Sequence, residues 1–160
     1  MTGGALGLAE ERARALVGRA EHRSLGVLNA AEAAEFARAA GETAAHLVDP
    51  DHPAFTVHPM YPVSLLRGAP GADPGEFRPD GMYRDEVPGT DGLDVRLMAG
   101  GQDVRLLGPV RPGERVEVRR TLESVERKGK APGFLLLTVA KSYRTERGPF
   151  TEVIERFIVR

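Results

Sequence analysis

The chain has 160 residues, with 22 Lys plus Arg against 23 Asp plus Glu, a formal charge of −1 and 41% hydrophobic residues. That size and composition suit one packed domain, and the charge balance lacks the positive field a nucleic-acid coat draws on. Cysteine is absent, which excludes a disulfide framework, thiol catalysis and thiolate metal sites.

Residues 6–21 place Leu6, Ala9, Ala13, Leu16, Val17 and Ala20 at the spacing of one helical face. An amphipathic helix is expected there, within an N-terminal extension over residues 1–24. Asn29 followed by Glu32 reads as a variant capping box, and Ala33, Phe36, Ala37 and Ala40 supply a buried stripe that Gly41 stops. A loop follows through Asp49-Pro50-Asp51-His52-Pro53. Residues 61–68 then read as a short helix with Pro62 in its first turn. From Ala69 to Gly92 the chain is rich in Gly, Pro and Asp, a length of loop that goes with function or mobility.

Beyond that loop the period becomes two. Strands are expected at Asp103–Leu107, at Arg115–Lys128 through Val116, Val118, Arg120 and Leu122, and at Phe134–Thr145 through Leu135, Leu137, Val139 and Tyr143. Phe150–Arg160 closes the chain as a long strand expected to lie at a sheet edge. Short turns between the last three imply an antiparallel meander, and helices first with strands later mean an α+β class. The longest apolar stretch, Phe134 to Val139 around Thr138, is far short of a membrane span, and the N-terminus has no signal-peptide pattern. The expectation is one soluble, cytoplasmic domain over residues 1–160, with neither nucleic acid nor membrane as partner.

Two stretches carry a family resemblance. Phe36-Ala-Arg-Ala-Ala-Gly41-Glu42-Thr43-Ala44-Ala45-His46-Leu47 resembles the helix-to-loop segment of MaoC-like hot-dog hydratases and dehydratases, where Gly-Asp-x-Asn-Pro-x-His follows a helix end. Gly100-Gly101-Gln102, with Pro109 and Gly113 downstream, is similar to a stretch of the family's N-terminal-type, FAS1-like dehydratase domains. Pro59-Met-Tyr61-Pro62 is similar to text that opens their central helix. The resemblance implies a hot-dog fold, an antiparallel sheet wrapped around a central helix, acting on an acyl thioester of CoA or acyl carrier protein.

In the family's catalytic version an Asp and a His add or remove water at the β-carbon, and a helix N-terminal amide polarises the thioester carbonyl. Here the Asp position holds Glu42, the Asn position Ala44 and the His position Leu47, with His46 one residue early. The loop therefore reads as degenerate, like the non-catalytic half of a heterodimeric (R)-specific dehydratase whose partner is a catalytic hot-dog subunit. No catalytic residue is expected, with Glu42 and His46 the candidates if there is one. His58, Tyr61, Leu65 and Gln102 are the candidate substrate-binding residues. No cofactor and no metal are expected, since no pair among the four histidines has ligand spacing. Two other readings stay open: a self-sufficient homodimeric dehydratase or cyclase using Glu42 and His46, and a hot-dog module that binds an acyl group or a partner without chemistry.

Overall fold

The computed structural model describes residues 4–65 and 71–160. Its elements are α1 (Gly4–Leu16), β1 (Ala20–Val27), α2 (Ala30–Ala39), α3 (Ala45–Val48), α4 (Tyr61–Ser64), β2 (Leu97–Leu106), β3 (Arg115–Lys128), β4 (Phe134–Thr145) and β5 (Gly148–Val159). The five strands form one antiparallel sheet in the order β1-β3-β4-β5-β2. Helices and loops cover its inner face, giving the hot-dog, α+β architecture.

Three differences from the sequence reading have physical causes. Helix α1 ends at Leu16 rather than near residue 21, because Gly18 turns left-handed and its N–H donates to Leu122 O. The next residues then pair with β3 as the edge strand β1. Strand β2 begins at Leu97, and a bulge between Ala99 and Gly101 carries it past the paired glycines. Strand β5 is not an edge: it lies between β4 and β2, and the free edges belong to β1 and β2. The later half of the helix expected over 61–68 lies largely outside the described residues, and its described part is the single turn α4.

The described part of the long loop expected over Ala69–Gly92, with the residues up to 96, is an irregular strap bound onto the sheet. It buries Val87, Thr90 and Val95, and Thr90 Oγ1 donates to Val87 O. Arg78 donates to Val95 O at 2.9 Å, and Arg120 from β3 donates to the Asp85 and Glu86 carbonyls. Gly89 at φ +83° sits so close to α1 that a Cβ there would lie 2.6 Å from Ala13 N. The strap's irregular backbone is thus satisfied by side chains, as a covered loop requires.

The apolar core falls into two clusters. One joins α1 to Leu122, Val125, Leu135, Leu137, Val139, Phe157 and Val159. The other joins α2 and α4 to Val116, Val118, Tyr143, Phe150 and Val153. Each central strand passes from one cluster to the other at a charged residue: Arg120 on β3, Lys141 on β4 and Glu155 on β5. No helix among the described residues is long and apolar enough to cross a membrane.

Candidate functional site

The end of α2 builds the first half of the site. Asn29 Oδ1 accepts from the Ala31 and Glu32 N–H groups at 2.8 and 3.2 Å, which fixes the helix start. At the other end Gly41, at φ 87°, donates to Arg38 O and Glu42 N–H donates to Ala37 O, both at 3.0 Å. This is a Schellman closure, and it fixes the direction in which Glu42 leaves the helix. A left-handed residue is required at position 41, hence the glycine.

The second half comes from the segment leading into α4. Met60 N–H donates to His58 Nδ1 at 3.2 Å, so in the neutral ring Nε2 carries the proton. That Nε2 lies 3.6 Å from Glu42 Oε1, an ion-pair approach just beyond hydrogen-bond length, with the His58 side chain 16% exposed and that of Glu42 39%. The Phe36 ring stands between His58 and Tyr61, with centroids 5.3 and 5.6 Å away. Tyr61 is buried and its hydroxyl donates to Glu32 Oε2 at 2.9 Å. Burial, reinforced by the Glu32 carboxylate, pushes the Tyr61 phenol up to about 12. Tyr61 is therefore a neutral donor across physiological pH. Leu65 packs against the same cluster.

The structure thus brings Glu42 to His58, sets His58 and Tyr61 against Phe36, and packs Leu65 on the apolar cluster that holds Tyr61. It does not bring His46 to Glu42: His46 is exposed, and its backbone carbonyl accepts from Thr56 N–H at 2.9 Å. Loop register explains the difference, since α3 begins at Ala45 and takes position 46 into its own turn. Gln102 belongs to another element, the exposed strand β2, where it pairs in register with Glu155. Among the described residues no group of three or more His, Asp or Glu could hold a metal ion.

An ionic cluster on the inner face of the sheet has no counterpart in the sequence reading. Lys141 Nζ lies 2.8 Å from Glu86 Oε1 and 2.6 Å from Glu155 Oε2, and Arg120 stands opposite Lys141 in register. Arg120 also reaches Glu21 on β1 at 3.4 Å. Burial alone would raise the Glu86 carboxyl, but Lys141 and Arg120 hold it below its ordinary value. Burial would likewise lower Lys141, and Glu86 with Glu155 holds it above. Both ions stay charged. The signal was present in the sequence: Arg120 and Lys141 fall in phase with the apolar alternation of β3 and β4.

The family model for the FAS1-like dehydratase domain region matches residues 15–151, and the chain belongs to that family. No curated protein matches the sequence. Among solved structures it is similar to a MaoC-like dehydratase from Phytophthora capsici, at 21% identity and TM-score 0.69, covering 91% of this chain and 48% of that one. The chain spans about half the length of that protein. The ChsH1-ChsH2 complex from Mycobacterium tuberculosis matches at 16% identity and TM-score 0.67, over 96% of this chain and 89% of that one. An (R)-hydratase from A. caviae matches at 21% identity and TM-score 0.58, over 88% and 94%. At these identities the structural likeness establishes the fold.

Proposed function

We propose that this chain is the non-catalytic subunit of an (R)-specific 3-hydroxyacyl-thioester dehydratase or enoyl-thioester hydratase. A catalytic hot-dog partner supplies the Asp and His, and this chain shapes the path of the acyl group. One observation carries the reading. Where the family's catalytic loop presents Asp, Asn and His, this loop presents Glu42, Ala44 and Leu47, and His46 is exposed beside it. Adding water across an enoyl thioester needs a base for the water proton and an acid for the α-carbon on one face of the substrate. Ala44 and Leu47 supply neither, which leaves Glu42 as the only ionisable group at the three positions.

The remaining site suits a binding role. Phe36 and Leu65 offer apolar surface over the buried Tyr61, and His58 offers one N–H beside it. The substrate is an acyl thioester of CoA or acyl carrier protein, handled in the cytoplasm. For the partner, β2 has one backbone edge unpaired among the described residues and exposes Met98, Val104 and Leu106. An edge that long and apolar favours pairing with another chain. The similarity to a complex of two differently named chains agrees with a heterodimer.

The approach of His58 Nε2 to Glu42 favours one second reading, a self-contained homodimer that uses this pair for acid–base chemistry. Hydration of crotonyl-CoA by the chain alone separates the two. The first reading expects turnover only when a hot-dog subunit with an intact Asp and His is added. The second expects turnover without it, lost on Glu42→Gln or His58→Gln.

A further inference from the structure

We infer that the cluster of Glu86, Arg120, Lys141 and Glu155 is an ionic stop that limits how far an acyl chain runs into the interior, so that the thioesters accommodated are short. The inference rests on the acyl-binding reading above. Leu65 lines a cavity of about 20 Å³ together with Leu25, Val118 and Tyr143, and Arg23, Glu86, Arg120 and Lys141 supply its charged lining. That is room for one water-sized group. Past the charges the second apolar cluster begins at Leu122, Val139 and Phe157, which would solvate hydrocarbon well.

Reaching it means parting Lys141 from Glu86, 2.8 Å away, or from Glu155, 2.6 Å away, with the Lys141 side chain only 9% exposed. A methylene can neither hydrogen-bond these groups nor solvate them, and a buried charge that loses its partner is strongly penalised. A buried methylene contributes about fourfold in affinity, too little to separate such a pair. The strap holds the stop in place from above. Arg120 donates to the strap's Asp85 and Glu86 carbonyls, and the Glu86 carboxylate meets Lys141. Charge at the middle of each central strand therefore separates the two apolar clusters, and the site's Tyr61 and Leu65 pack on only one of them.

The test is calorimetric binding of saturated acyl-CoA probes, from butyryl to decanoyl in steps of two carbons, to the purified protein in its native assembly. For the wild type, affinity is expected to rise about fourfold per methylene and then level off before decanoyl. In Glu86→Leu/Lys141→Met/Glu155→Leu, where matched apolar groups replace the ions, the rise should continue to decanoyl. An unbroken wild-type rise, or a triple variant that levels off at the wild-type length, overturns the stop. Should the triple variant fail to fold, the wild-type series decides alone. Absence of binding at every length would overturn the acyl-thioester reading and the stop together, whereas binding with no plateau removes only the stop.

Discussion

At the residue scale, two groups make measurable claims about charge and placement. The Glu86 carboxyl is held below its ordinary 4.5, so its contribution to stability is present above that pH and is lost as pH falls through the folded value. Lys141 is held above its ordinary 10.5, so its contribution is present below that pH and is lost as pH rises through the folded value. Urea unfolding followed against pH should show a plateau between these limits. Glu86→Gln should lower the plateau by about 2 kcal/mol, the worth of a charged hydrogen bond, and flatten the acid limb. Parallel wild-type and variant curves down to pH ~3 would show that Glu86 carries no such linkage. Asn29→Ala should cost about 1 kcal/mol by removing the cap that starts α2, checked by the shift in urea midpoint.

Elements bring these residues together, and here the sequence was most and least readable. The ends of strands β3 and β4 were legible, because alternation and the bounding Gly-Pro turns mark them, but the bulge between Leu122 and Ser124 that shifts their register was not. Asn29 and Gly41 marked α2 equally well, because caps are local chemistry. Strand β1 was hidden, since an edge strand with one buried residue, Leu25, shows little alternation. The pairing of Glu42 with His58 could not be read, because it depends on how a 15-residue loop folds back on Phe36 rather than on spacing. The strap was legible as a long loop but its order was not, because that order comes from long-range donors, Arg120 and Arg78, and from its seat on α1. Gly89→Ala tests that seat. A Cβ 2.6 Å from Ala13 N, at a left-handed φ of +83°, should cost about 1–3 kcal/mol and raise hydrogen exchange in both the strap and α1. Unchanged exchange in α1 would mean that the two elements are not coupled.

For the whole molecule, assembly and chemistry meet at the free edge of β2. Leu106 is 53% exposed there, beside Val104 at 39%. Leu106→Lys should weaken pairing with a second hot-dog chain by about tenfold or more while leaving the unfolding free energy of the isolated chain within about 0.5 kcal/mol, since exposed substitutions perturb folding little. Light scattering and unfolding on the same sample would separate these effects. The central claim, that this chain binds the acyl group while a partner performs the proton transfers, is tested most directly by crotonyl-CoA hydration in the complex reconstituted with Glu42→Gln/His58→Gln. Turnover within about tenfold of the wild-type complex, a barrier change of about 1.4 kcal/mol at most, is the predicted result. A loss on the order of a hundred- to ten-thousand-fold, with the complex still assembled, would place the acid–base chemistry in this chain and contradict the account.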